Sequence, residues 1–387
     1  MKILLISGSH IMGGAERASL QLVQGLVERG HSVEALCSAA GEWRATLAKA
    51  GLRVHPAAMG GSLNLLAPFI IARAVAKVRP DLLMVTTSDQ WVWSCLTPLG
   101  TGAPRLLLVR HMAIPLPLRV RRLAGRRAGA IVAVSRSVGR SLLADSAIAP
   151  GLVHVIPNAT RFAPRTTVPD QEERHGARAA LGLPIAGRWI GFLGGINRGK
   201  GIEDVMAAAR HANEILGDVR LLVCGRKDPR RDTPECAELA LRYGLEDRVH
   251  YLGHIDDVKP ALIAADVVAI ATRSTLGEGL AQTAIDALAC GTPIAAYALG
   301  GITDVVGDTG PAAVLARPDD VEGLAGAVTR LLADPDLANR IAREGLVRTR
   351  EAFDPKRMID SYERLFTDLL ASREGKSPRP ARRPSQA

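Results

Sequence analysis

Two carboxylates, Glu278 and Asp286, stand eight positions apart around a glycine-flanked loop and a helical run. The loop is Gly277-Glu278-Gly279, and in the run Leu280, Ala284, Ala287 and Leu288 recur on one face. Eight helical residues would rise ~12 Å and turn a little over twice, which would set both acids on roughly one side. An acid ahead of a helix N-terminus faces the place where anions bind. Carboxylates accept hydrogen bonds from sugar hydroxyls, and bare glycine amides donate to phosphate oxygens. The pattern therefore suits a ligand that carries both groups. It equally suits one acid that caps a helix and another on its surface.

Further candidates follow the same logic. Gly194-Gly195-Ile196-Asn197-Arg198-Gly199-Lys200-Gly201 follows an apolar run, Trp189 to Leu193, and opens a helix from Ile202. Glycines, two cations and a helix N-terminus are what a diphosphate needs. Near the start, Gly8 to Gly14 forms a glycine-bearing loop between a strand, Lys2 to Ser7, and a helix, Ala15 to Arg29, with Leu20, Val23 and Val27 on one face. The dinucleotide fingerprint GxGxxG is absent there, because Gly8 is followed by Ser-His and the paired glycines Gly13 and Gly14 come five positions later. His111 lies just past the run Arg105 to Val109, at a predicted strand end. Asp334-Pro335-Asp336 could hold a metal-bound nucleotide, but Pro335 and the helix after it make Asp334 an N-cap, and no metal is predicted.

The elements that position these residues alternate regularly. Strands are predicted at Lys2 to Ser7, His31 to Cys37, Leu82 to Thr86, Arg105 to Val109 and Ala130 to Val134. A second series lies at Trp189 to Leu193, Val219 to Cys224, Arg248 to Leu252, Val267 to Ile270 and Ile294 to Tyr297. Helices fall between them, which is the pattern of an α/β protein with doubly wound parallel sheets. Ligands of such sheets bind off the carboxyl ends of the strands. The chain of 387 residues is long for one domain and natural for two. The expected division is 1–165, then 166–354, then a crossover helix over 355–372 and a disordered basic tail over 373–387. Ala163 to Arg178 reads as a polar linker with a short helix.

The block from Glu278 onward resembles the donor-site motif of the retaining GT-B glycosyltransferases of family 4, also called group 1. That motif is Glu, seven residues, Glu, then Ala-Met-Ala-Cys-Gly-x-Pro-Val and Gly-Gly. Here it reads Glu278, seven residues, Asp286, then Ala287-Leu288-Ala289-Cys290-Gly291-Thr292-Pro293-Ile294 and Gly300-Gly301. Gly13-Gly14-Ala15-Glu16-Arg17 resembles the family's first loop, and Lys200-Gly201 its Lys-Gly. The chain departs at Asp286 for Glu, at Gly195 for an Arg, and at Ala159 and Arg161 for the Gly and Asp of Asn-Gly-x-Asp. The resemblance spans Lys2 to Leu370. It implies two Rossmann-like domains facing a cleft, with the last helix crossing back to the first. It implies transfer of a hexose-like sugar from a nucleoside diphosphate sugar with retained configuration. By the same resemblance, His111 and Glu278 meet the donor sugar and Asp286 holds the ribose. The donor diphosphate falls to Gly13, Gly14, Arg198, Lys200, Gly277, Gly279 and Leu280. Arg110 is a candidate acceptor contact.

Composition bounds the alternatives. Apolar residues make up 47% and supply two cores, whereas aromatics at 3% argue against stacking platforms for single-stranded nucleic acid. Five scattered cysteines without a CxxC pair imply a reduced compartment and no structural metal. The net charge of +10 calls for anionic partners. One basic cluster is Arg119, Arg121, Arg122, Arg126 and Arg127, which makes an anionic membrane surface a candidate partner for a helix over 116–127. No uncharged apolar run is long enough to span a bilayer, and no signal-peptide core is present. These features predict a cytoplasmic protein with the inner face of the membrane as a candidate surface. They predict no cofactor beyond the nucleotide-sugar co-substrate, no nucleic acid, and a glycan or lipid-linked acceptor in envelope polysaccharide or glycolipid synthesis. The alternatives are an inactive nucleotide-sugar-binding scaffold and a phosphorylase or epimerase on the same fold.

Overall fold

A computed structural model of the chain describes residues 1–59, 64–100, 102–227, 234–307 and 311–371; the expected basic tail lies outside them. The residues form two compact units. One comprises Met1–His111, Pro115–Asn158 and the segment from Pro355; the other comprises Met112–Ile114 and Ala159–Asp354.

The first unit is built on strands β1 (Lys2–Ser7), β2 (Ser32–Ser38), β3 (Arg53–Ala57), β4 (Leu82–Val85), β5 (Arg105–Arg110), β6 (Ala130–Ala133) and β7 (Val153–Val155). They form one parallel sheet in the order β3-β2-β1-β4-β5-β6-β7. Helices α1 (Gly14–Glu28), α2 (Glu42–Lys49), α3 (Ala67–Val78), α4 (Ser88–Leu96), α5 (Leu118–Arg127) and α6 (Arg136–Leu142) link them in turn. A strand covered on both faces reads as an unbroken apolar run, as β1 and β4 do. The buried face of α1 carries Ala18, Leu22, Val23 and Leu26, whereas Val27, expected inside, is 45% exposed. Apolar residues at 20, 22, 23, 26 and 27 make two overlapping stripes, and spacing alone does not choose between them.

The second unit has α7 (Gln171–Ala180), β8 (Arg188–Leu193), α8 (Ile202–Leu216), β9 (Val219–Cys224), α9 (Cys236–Tyr243), β10 (Val249–Gly253), α10 (Lys259–Ala264), β11 (Val267–Ile270), α11 (Gln282–Cys290), β12 (Ile294–Tyr297), α12 (Gly300–Val306), β13 (Val314–Ala316), α13 (Val321–Ala333) and α14 (Pro335–Ala352). Its parallel sheet runs β10-β9-β8-β11-β12-β13. The core lies between the sheet and α8 and α13, with Ile190, Val205, Val223, Tyr297 and Val328 at 3% exposure or less. Asp334 caps α14 by accepting from the Leu337 amide at 2.9 Å, the cap expected of the Asp-Pro-Asp triplet.

The polar stretch read as a linker is not simply solvated. Arg178 of α7 is fully buried and meets Asp266 at 2.8 and 2.9 Å, and Arg174 donates to the carbonyl of Ala265 at 2.5 Å. The segment Ala159–Arg165, expected to close the first domain, goes with the second unit. Its Arg161 is bonded to Asp286, and its Arg165 amide to the carbonyl of Ala289 at 3.0 Å.

Helix α15 (Pro355–Ala371) packs in the first unit. Its buried Met358, Ile359, Tyr362, Leu365, Phe366 and Leu369 recur every three or four residues. Gly25 of α1 lies under Ile359, and at its rim Glu363 accepts from His31 at 2.7 Å and from Arg29 at 2.5 Å. A Cβ on Gly25 would stand 2.2 Å from Cδ1 of Ile359. Gly25→Leu is therefore expected to lower unfolding free energy by about 1–3 kcal/mol through overpacking, measured by urea denaturation.

Candidate active site

In the second sheet the chain runs outward from β8 through β9 to β10, then returns to β11 on the other side of β8. This reversal leaves a crevice at the carboxyl ends of β8 and β11, where ligands of doubly wound sheets bind. Two loops border it, 194–201 after β8 and 271–281 after β11.

The loops are tied together by their backbones. The Arg273 amide donates to the carbonyl of Gly199 at 2.9 Å. Gly201 has φ +71°, and a Cβ there would lie 2.1 Å from the carbonyl oxygen of Ala271. Only glycine accepts both that conformation and that approach. The closeness brings Lys200 onto Glu278, whose second oxygen accepts from the Thr272 hydroxyl at 2.7 Å. The two side chains keep 28% and 19% of their surface exposed, so the pair sits at the mouth of the crevice. Gly277 also has a left-handed φ of +64°, and Met112 forms an antiparallel bridge with Glu278. Ser274 holds the loop from the other side by donating to Asp319 at 2.6 Å. Thr272 and Asp319 were not singled out from the sequence. Thr272 carried the one usable signal, as the first hydroxyl beyond the apolar run of β11.

The structure does not gather every predicted residue here. Arg198 turns to Glu203 at 3.1 Å, in the first turn of α8, and so does not join Lys200. Gly195 brings no side chain. Gly279 and Leu280 precede α11, whose first residue is Gln282. Glu278 is thus in a loop and Asp286 in a helix, so the eight positions between them are not continuous helix. Asp286 is fully buried. One of its oxygens accepts from Nε and Nη2 of Arg161 at 2.7 and 2.6 Å, the other from the Arg161 amide at 3.1 Å and from Gln282 at 3.3 Å. The carboxylate expected to hold a ribose offers no exposed oxygen. Burial raises its proton affinity and Arg161 opposes that rise.

In the first unit, Gly13 and Gly14 open α1, with the Gly13 amide taken by Glu16 at 3.0 Å. His111 follows β5 directly. Neither ring nitrogen has a hydrogen-bond partner among the described residues, and both are sealed from solvent. Burial, with the Arg110 charge beside it, pushes the imidazole down to about 4. Arg110 is itself buried, donates to the Ser88 hydroxyl, and is pushed down to about 10 by burial. Helix α5 buries only Ala124 fully. Arg121 pairs with Asp145 at 2.8 Å, while Arg119, Arg122 and Arg126 point outward, with no acid on the helix.

Comparison with known proteins fits this arrangement. The family model "Glycosyltransferase Family 4" matches residues 12–161, and "Glycosyl transferases group 1" matches residues 187–334. The chain belongs to the family 4, group 1 glycosyltransferases. Among its curated family relatives, a 2-deoxystreptamine glucosyltransferase of Streptomyces kanamyceticus is 33% identical over 224 residues, 57% of this chain and 56% of the relative. A D-inositol 3-phosphate glycosyltransferase of Corynebacterium urealyticum is 32% identical over 182 residues, 46% of this chain and 41% of the relative. The chain spans about half the length of the curated relatives it matches. Among solved structures, Anabaena Alr3699/HepE in complex with UDP-glucose aligns with a TM-score of 0.80 at 20% identity, over 96% of this family member and 100% of that chain. A sucrose-phosphate synthase from Thermosynechococcus elongatus aligns with 0.78 at 22%, over 96% and 100%. These likenesses establish the fold as GT-B. Among the described residues no helix is long and apolar enough to cross a membrane.

The buried imidazole gives a pH test. Unfolded, His111 takes a proton near pH 6.5; folded, it does so only near 4, so its contribution to stability is complete above pH 6.5 and is lost as pH falls to about 4. That loss amounts to about 3 kcal/mol. His111→Gln is expected to flatten the fall in denaturation midpoint over this window, and an unchanged slope would assign the proton uptake to other groups.

Proposed function

We propose that this protein is a retaining glycosyltransferase that moves a sugar from a nucleoside diphosphate sugar to an acceptor hydroxyl without a metal. The observation that carries the reading is the Lys200–Glu278 pair at the switch point, joined to a glycine-bearing loop on each side. A donor diphosphate would compete for Lys200 and leave Glu278 to accept hydrogen bonds from the sugar's hydroxyls. Lys200 and the amides of Gly277, Gly279 and Leu280 would stabilise the charge that builds on the departing diphosphate. His111, neutral above pH of about 4, would meet the sugar near its anomeric carbon without adding positive charge there. The bond from the anomeric carbon to the phosphate oxygen breaks, and one from that carbon to the acceptor oxygen forms on the same face. The acceptor proton passes to the leaving phosphate. Gly13 and Gly14 would approach the diphosphate through their backbone.

The acceptor is read as a glycan or lipid-linked glycan of the cell envelope, with the protein at the inner face of the membrane. The acid-free basic face of α5 supports this. A second reading, a small polyhydroxylated acceptor, is favoured by the names of relatives that act on 2-deoxystreptamine or inositol phosphate.

The deciding experiment is a thermal-shift screen with UDP-, GDP- and ADP-sugars, followed by nucleotide release from any donor that binds. A ligand at ~100 times its Kd adds ~2.7 kcal/mol and shifts the transition visibly. Glu278→Gln is expected to lower kcat by at least ~100-fold. Retained turnover would remove Glu278 from the reaction. Binding without release under any acceptor would identify a scaffold; a requirement for inorganic phosphate, a phosphorylase; change of the donor sugar without an acceptor, an epimerase. For the membrane, sedimentation with phosphatidylglycerol vesicles but not phosphatidylcholine vesicles is expected. Replacing Arg119, Arg122 and Arg126 together by Ala should weaken it ~100-fold, at ~1 kcal/mol per cation. No binding to anionic vesicles at low salt would leave the small soluble acceptor.

A further inference from the structure

The cations on the two crevice loops each face an acid: Lys200 meets Glu278, Arg198 meets Glu203, and Arg273 meets Asp204 at 2.5 Å. Arg161 is placed differently. Its acid partner, Asp286, is completely buried behind it, while the Arg161 side chain keeps 23% of its surface exposed. Asp286 takes Nε and Nη2, one edge of the guanidinium. The remaining nitrogen, Nη1, has no partner among the described residues. The planar fork is fixed by the acid, so the direction of the free edge is fixed as well.

The pair lies close to the strand ends. The Thr283 hydroxyl donates to the carbonyl of Leu193 at 3.1 Å, which sets the first turn of α11 on the end of β8, and Asp286 follows one turn on. The Arg161 charge also reaches the thiol of Cys224, the last residue of β9. The Gly194 amide donates to the carbonyl of Cys224 at 2.9 Å, so the glycine loop that leads to Lys200 starts at the same place. Phe162, with its ring 5.4 Å from the guanidinium carbon, stiffens the side chain further.

We propose that Arg161, seated on Asp286, is a binding residue of the donor site. It donates from Nη1 to phosphate oxygens of the nucleoside diphosphate, and Asp286 orients it rather than holding the ribose. The inference rests on the reading of the donor as a nucleoside diphosphate sugar. A carboxylate facing the ligand would read the ribose hydroxyls; a guanidinium facing it reads phosphate charge. The two arrangements therefore differ in what they discriminate.

The test uses calorimetric titration of the full chain with UDP, GDP and ADP, each with its 2′-deoxy analogue and its nucleoside. For the diphosphate that binds, the wild type is expected to prefer the ribose form over the 2′-deoxy form by less than about threefold. The double variant Arg161→Gln/Asp286→Asn replaces the ion pair with two amides. It is expected to lose about tenfold or more in diphosphate affinity, the worth of a charge-assisted hydrogen bond, with no loss for the nucleoside. Arg161→Lys should recover part of the affinity. The proposal is overturned if the folded double variant binds the diphosphate within about twofold of wild type, which would leave the pair purely structural. It is equally overturned if wild type prefers the ribose form by tenfold or more. That second comparison needs no variant and stands even if the substitutions prevent folding. If no diphosphate binds the wild type, the donor reading itself falls, and this inference with it; binding that is insensitive to Arg161 sinks the inference alone.

Discussion

The strand ends of the second sheet depend on the approach of two loops that no strand pairing holds together. A parallel doubly wound sheet has one gap where consecutive crossovers leave in opposite directions, and here it lies between β8 and β11. Across that gap the absence of a Cβ at Gly201 lets the first loop touch the carbonyl of Ala271, and the Arg273 amide completes the contact at Gly199. Lys200 and Glu278 can meet only because of this backbone proximity. The ion pair alone would not create it, since a partly exposed pair contributes little net energy. The meeting of Lys200 and Glu278 follows from sterics at a glycine.

Buried charges then decide where the irregular segments go. Arg178 with Asp266 fastens α7 to the entry of β11, Arg273 with Asp204 fastens the Glu278 loop to α8, and Arg161 with Asp286 fastens the end of the linker to α11. Tyr297 adds a hydrogen bond of 3.0 Å to Asp204. Such pairs gain little over well-packed apolar residues, because each ion must leave water. Losing one partner is costly, however, since the other stays buried and unpaired. Their effect is therefore on position: each forbids its loop from settling elsewhere. In two of them the arginine comes from a loop or linker and the acid from a helix; in the third, Arg178 lies in α7 and Asp266 just ahead of β11.

The central strands were legible because burial on both faces forces an apolar run, as in Val267–Ile270 and Ile294–Tyr297, whose bounds the sequence placed to the residue. Of the four edge strands, β10 was read at Arg248 to Leu252 and the other three were not. Arg53–Ala57 carries Pro56, tolerated only where one side of the strand needs no amide, and Val153–Val155 and Val314–Ala316 are three residues each. Helix α1 was found but turned, since its two apolar stripes overlap. Glycines, charge and the strand-loop-helix order pointed to the two loops on which Lys200 and Glu278 meet. The contact of Arg198 with Glu203 was not legible, because a cation next to a helix's first turn finds that helix's own acid as readily as a ligand.

Asp286 and Arg161 show how a motif and a contact differ. Position by position, Asp286 is a shortened carboxylate and Arg161 a missing one, two separate losses 125 residues apart. In space they form one interaction. The shorter acid lies in the core, where burial raises its proton affinity and the arginine opposes that rise. Neither residue is stable there without the other: an unpaired Asp286 would be a buried anion, and an unpaired Arg161 would have nothing to fix its direction. Of the two charges, it is the arginine that keeps part of its surface exposed, while the acid has none.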